Sequence, residues 1–153
     1  MRDHADHHDA ELLLRLYDLR REAKLRQARE WMAGEFQAES PEEYFKKYPR
    51  GSTENAFIRM VLSYWDMAAS IVNQGLIKEE FFFENTSEFW AVWAKFKHLA
   101  PALRESRKNP YIWKNLENLA ERFEKWTEKR APEALETLHA LLVKPSAAAA
   151  PKS

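Results

Sequence analysis

The fold turns on the stretch Asn55-Ala56-Phe57-Ile58-Arg59-Met60-Val61-Leu62-Ser63-Tyr64-Trp65-Asp66-Met67-Ala68-Ala69-Ser70-Ile71-Val72-Asn73. Between Phe57 and Val72 nearly every position is apolar. The exceptions, Arg59, Ser63, Asp66 and Ser70, recur at intervals of four, three and four. At about 100° per residue this spacing places all four on one narrow helical stripe, extended by Asn55 and Asn73. A helix that is apolar everywhere else needs neighbours on most sides. The segment therefore reads as a buried central helix over about 53–74, opened by Ser52 or Thr53 and closed by Gly75. It does not read as a membrane span. Met60 to Val72 falls short of the roughly 20 apolar residues required, and Ser63, Asp66 and Ser70 interrupt it.

On either side of this segment the helical spacing continues. Only three glycines occur in 153 residues, too few for the turns of a β domain, and alternating polar–apolar runs are missing. The expectation is an all-α fold, a compact bundle of five to six helices. A first helix is predicted from about Asp9, as N-cap, to Phe36. It carries two apolar stripes on nearly opposite sides: Leu12, Leu16, Leu19 and Ala23, and then Leu14, Tyr17, Leu25, Ala28, Met32 and Phe36. Ser40-Pro41-Glu42-Glu43 is a capping-box start for a short helix that stops near Tyr48. Leu76 to Glu84 forms another short helix. The next carries Phe89, Val92, Trp93, Phe96, Leu99, Ala100 and Leu103, with a kink or break near Ala100 because Pro101 cannot donate to Lys97. Asn109-Pro110 is read as the start of a helix that turns Ile112, Trp113, Leu116, Leu119, Ala120, Phe123 and Trp126 inward, and Ala131-Pro132 as the start of a last one. The organisation is one helical domain over 11–143, after a flexible His/Asp-rich N-terminus (1–10) and before a disordered Ala/Pro tail (144–153).

Composition narrows the function. There is no cysteine, which excludes disulfides, thiolate zinc sites and a cysteine nucleophile. The 24 basic and 24 acidic side chains cancel, so the strong basic footprint of a dedicated nucleic-acid binder is missing. No secretory signal is visible: the first apolar run, Leu12-Leu13-Leu14, ends at Arg15. A cytoplasmic location is expected.

The pair Trp65-Asp66, the small residues Ala68 and Ala69, and the turn Gly75-Leu76-Ile77 with its acidic continuation form a distinctive combination. An aromatic helix with Trp90 and Trp93 follows it, and a first helix ending in Trp31 and Phe36 precedes it. Over residues 12 to 125 the chain resembles a bacterial family of small helical proteins that bears only a domain-of-unknown-function label. The resemblance implies the helical fold and a bacterial origin, and no catalytic residue.

Three sets of residues are candidate sites. Arg59, Ser63, Asp66 and Ser70 form either a solvent-facing strip or one wall of a polar ligand cavity, with Arg20, Glu22, Arg29, Glu30 and His98 as candidates to face it. Leu14, Tyr17, Leu25, Phe81, Phe82 and Phe83 are candidates for a partner surface. The first three lie on the surplus stripe of the first helix. Three consecutive phenylalanines span about 200° of helix, so at least one points away from the core. His4, His7 and His8, interleaved with Asp3, Asp6 and Asp9, hold weak metal ligands that suit zinc, nickel or copper. Arg15, Arg20, Arg21, Lys24, Arg26 and Arg29 crowd the first helix, but Glu11, Asp18, Glu22 and Glu30 alternate with them, which marks a solvated, ion-paired face and makes nucleic acid an improbable partner. No phosphate loop, dinucleotide fingerprint, zinc-protease motif or nucleophile elbow is present. The chain thus reads as a non-enzymatic interaction module without a cofactor, binding a protein partner or a second copy of itself. The alternatives are a ligand-binding or catalytic pocket along the polar stripe, and weak nucleic-acid binding by the first helix.

Overall fold

The computed structural model describes residues 3–143, and every regular element among them is helical. In chain order these are α1 (His7–Arg20), α2 (Ala23–Gly34), α3 (Pro41–Lys47), α4 (Thr53–Asn73), α5 (Glu79–Asn85), α6 (Glu88–Phe96), a 3₁₀ turn (Lys97–Leu99), α7 (Ala100–Arg107), α8 (Lys114–Arg130), α9 (Ala134–Leu138) and a π turn (His139–Val143). The segments are shorter and more numerous than the five or six expected. The expected tail over 144–153 lies outside the described residues.

Helix α4 is the axis of the molecule. Ser52 caps it by accepting the Asn55 N–H at 3.1 Å. Gly75, at φ +81°, ends it. Gly75 N–H donates to Val72 and Leu76 N–H to Ile71, a Schellman closure that needs a left-handed residue. Ile58, Val61, Ala68 and Ala69 are wholly buried and Trp65 is 2% exposed. Burying a side chain such as Ile58 or Val61 contributes about 1.5–3 kcal/mol relative to leaving it in water. The alanines leave room for close neighbours. Helices α2 and α8 make the main contacts with α4, and α5 and α6 complete the enclosure. Met67 departs from expectation: it lies on the wetted strip with Arg59 and Ser63.

The predicted single first helix is two helices. Glu22 leaves helical geometry, and its carboxylate accepts the Leu25 N–H at 2.9 Å, capping α2. The break resolves the two opposed stripes. Each short helix has one inward face: Leu13 and Leu16 in α1, then Leu25, Ala28 and Met32 in α2. The start also differs. Asp6, not Asp9, is the N-cap, and the two form a capping box. Residues 7–10, assigned to a flexible segment from sequence, are the first residues of α1. Asp9 is fully buried, and its Oδ2 accepts the Lys78 N–H at 2.6 Å, where α5 begins without a side-chain cap of its own.

The break at Pro101 appears as expected, a 3₁₀ turn between α6 and α7. Asn109-Pro110 does not start α8. Asn109 instead accepts the Tyr111 N–H in a turn, and the helix begins at Lys114 after Trp113, which has φ +56°. The aromatic core joins α5, α6 and α8: Phe123 lies edge-on to Phe83 at 5.3 Å and to Phe89 at 5.2 Å between ring centres. Such pairs contribute about 0.5–1.5 kcal/mol beyond their buried area. The π turn at the C-terminal end packs on α6.

Candidate functional site

Three of the four stripe residues, Arg59, Ser63 and Asp66, line one cleft of about 300 Å³. Its opposite walls come from α3, α7 and the turn before α8. Ile58 and Leu62 of α4 and Leu103 of α7 are its apolar lining, and Tyr44, Arg107 and Tyr111 also reach it. Ser70 is not part of it. That hydroxyl donates to the Met67 carbonyl at 2.8 Å on its own helix. None of Arg20, Glu22, Arg29, Glu30 or His98 faces the cleft. Arg20 and Arg29 are engaged elsewhere, both by Glu88, with Arg29 in a two-point pair at 2.7 and 2.8 Å. The basic run of the first helix is thus partly ion-paired within the fold.

Each polar group in the cleft has a distinct setting. Asp66 Oδ1 accepts the Leu116 N–H at 2.9 Å and so caps α8, which has no cap from its own chain segment. Burial pushes the Asp66 carboxyl above its ordinary value, against the opposing pull of the Leu116 and Asn115 N–H groups and of Arg104. Arg104 fixes the turn behind it, donating to the Ile112 carbonyl at 2.8 Å and pairing with Glu117 at 3.0 Å. Arg59 is oriented from behind: its Nε donates to Asn55 Oδ1 at 3.0 Å, while Asn55, buried, donates to the Tyr48 carbonyl at 2.9 Å. Among the described residues neither Arg59 nor Arg107 forms an ion pair. Burial raises the Tyr44 pKa, and the charges of Arg107 and Arg59 draw it back. The Trp113 indole N–H, at the cleft wall, is buried without an acceptor among the described residues.

Tyr44, Arg107 and Tyr111 carry no signal in the sequence. They meet Arg59 only because α3, α7 and the 109–113 turn fold onto the same side of α4. The stripe on α4 was the one legible part.

The candidate partner surface largely dissolves. Leu25, Phe82 and Phe83 are core residues, and Phe81 is half-buried against the same core. The phenylalanine run is accommodated because α5 is covered on more than one side, with Phe82 and Phe83 both against Phe89. Leu14 and Tyr17 are exposed on one side of α1, and Leu19 is exposed on nearly the opposite side. Of the histidines, His7 and His8 stand in the first turn of α1 with Glu11, their ligand atoms all within 4.8 Å. All three are exposed, and His4 is not in the group.

A helical domain with a small mixed-polarity cleft beside its central helix is the class of protein these features define. Its family model, described as a domain of unknown function (DUF4760), matches residues 5–126, and the chain belongs to that family. No curated protein and no solved structure matches the chain. Among the described residues no helix is long and apolar enough to cross a membrane.

Proposed function

We propose that this chain is a binding module for a small molecule held in the cleft between α4, α7 and the turn that precedes α8. The observation that carries this reading is the placement of Arg59, Ser63 and Asp66 together on the wall of a cavity of about 300 Å³. That volume sits at the lower edge of the range for small-molecule sites, with the usual mixture of apolar lining and a few convergent polar groups. The reading is of binding rather than catalysis. Asp66, the one carboxylate among the lining residues, is committed to the end of α8 through Oδ1. A fragment screen by nuclear magnetic resonance, following the indole N–H of Trp113, tests it. Fragments should perturb Trp113 in the native chain and not in Ser63→Trp, in which a large ring from an exposed position fills the cleft. A screen in which no fragment moves the cleft resonances refutes the reading.

Self-association keeps narrower support. It now rests on the exposed apolar edge of α1 formed by Leu14 and Tyr17, which are 65% and 39% exposed. Sedimentation at micromolar concentration separates the two readings: a dimer dispersed by Leu14→Glu supports association through α1, and a clean monomer ends it.

A further inference from the structure

The cleft has two chemically different ends. Arg59 and Asp66 are seven residues apart on α4, about 10 Å along the helix axis. At the Arg59 end stand Arg107 from α7 and Tyr44 from α3, and the Tyr44 hydroxyl feels the charge of both guanidinium groups. At the Asp66 end the nearest cation felt is Arg104, already paired with Glu117. Leu62 and Leu103 supply apolar wall.

Two guanidinium groups that influence one phenol and have no carboxylate partner repel each other, and the repulsion is relieved by an anion between them. Their planar forks match the oxygens of a carboxylate or a phosphate in two-point contacts. Arg59 is additionally held in place by Asn55, so less side-chain freedom is lost when it binds. A free inorganic ion would leave the Leu62 and Leu103 wall unused.

Resting on the cleft reading above, we propose that the occupant is a small amphipathic oxyanion. Its carboxylate or phosphate head sits among Arg59, Arg107 and Tyr44. Its apolar body, of about one ring, lies along Leu62 and Leu103 toward Asp66. The carboxylate of Asp66 disfavours a second negative charge at that end, so the class is an anion charged at one end only.

Four single-ring probes test the assignment: benzoate, phenyl phosphate, benzyl alcohol and benzylamine. Each is titrated into the intact chain while the Trp113 indole N–H is followed, its signal assigned with Trp113→Phe. The two oxyanions should bind about tenfold or more tighter than benzyl alcohol, and benzylamine weakest. The stronger of the two oxyanions identifies the head group. Arg59→Gln with Arg107→Gln should remove the preference while benzyl alcohol binding persists. Both residues are exposed, and an otherwise unchanged spectrum verifies folding. Benzyl alcohol or benzylamine binding as tightly as the oxyanions overturns the ligand class and leaves the cleft standing. Oxyanion shifts confined to the arginines of α1 and α2, or none from any probe, overturn it as well. In the last case the wider fragment screen decides the cleft separately.

Discussion

Asp9 and Asp66 perform one task in two different settings. Each is a carboxylate on an earlier helix that accepts a backbone N–H at the start of a later helix lacking its own side-chain cap. Asp9 serves α5 through Lys78, and Asp66 serves α8 through Leu116. The orphan donors at a helix start have to be satisfied, and here tertiary contacts satisfy them. The settings differ in water. Asp9 is fully buried, whereas Asp66 is part-buried and borders the cleft. The enclosed carboxylate pins the start of α5 to α1. The one beside the cleft holds α8 in place and also shapes the electrostatics of the proposed site.

The largest expected effect comes from Asp9→Ala. A buried donor left without its acceptor, together with the loss of the α1 capping box, should cost about 3 kcal/mol. Urea unfolding measures it. Asp66→Ala should cost less, about 1–2 kcal/mol, because water from the cleft replaces part of the lost cap. Hydrogen exchange should then quicken at Asn115 and Leu116 and remain unchanged in α5. Equal losses for the two alanine variants would break the contrast, since they would mean that exposure to the cleft makes no difference.

The titration of the α8 start sharpens the contrast. Burial raises the folded pKa of Asp66 above its unfolded value, so the folded chain holds that proton more tightly. Its contribution to stability is full below the unfolded pKa and is lost as pH rises through the folded pKa. The native chain should therefore gain stability relative to Asp66→Asn as the pH falls from about 6 to 4. Glu117, one turn into the same helix, has the opposite sign. Burial raises its pKa, but Lys114 and Arg104 together outweigh that and hold the net value low. Its contribution is present above the unfolded pKa and is lost on acidification. The native chain should lose stability relative to Glu117→Gln as the pH falls below the ordinary glutamate value of 4.5. Urea midpoints at several pH values read both slopes, and slopes of the same sign would contradict the arrangement.

The two caps also show what a sequence discloses. Asp66 was visible because an acid inside an apolar run stands out, and its stripe led to the cleft. Asp9 reads only as a cap for its own helix: it lies among His7, His8 and Asp6, and nothing local announces its burial or its reach to the start of α5. The cap that Asp66 gives α8 is also why Asn109-Pro110 misled. The pair has the local signature of a helix start, but the acceptor that starts α8 comes from a helix 50 residues earlier in sequence. The division of the first helix was hidden for a related reason. Arg20-Arg21-Glu22-Ala23 has good helix formers throughout, and nothing local requires a stop. The break follows from packing two inward faces, with Leu16 further tied by its carbonyl to the Tyr64 hydroxyl. Local chemistry revealed the central helix and one wall of the site. The remaining walls required knowledge of which helices meet.

The smallest expected effect is at Lys108, one of two left-handed residues that bracket the turn between α7 and α8. Lys108 (φ +55°) and Trp113 (φ +56°) both occupy a conformation that favours glycine. Lys108 is exposed and closes α7, with its N–H on Glu105 and the Asn109 N–H on Arg104. Its side chain forms no packed contact with the core, so Lys108→Gly removes strain at little cost and should stabilise the chain by about 0.5–1 kcal/mol. Trp113→Gly relieves the same backbone strain, but its ring packs against the core. That variant should be destabilised by about 2 kcal/mol or more, since the loss of a large packed side chain exceeds the strain relieved. Thermal unfolding of the two variants decides the matter. Stabilisation by both would show that the Trp113 ring contributes little to holding the turn, and would remove the rigid wall that the cleft requires beside Asp66.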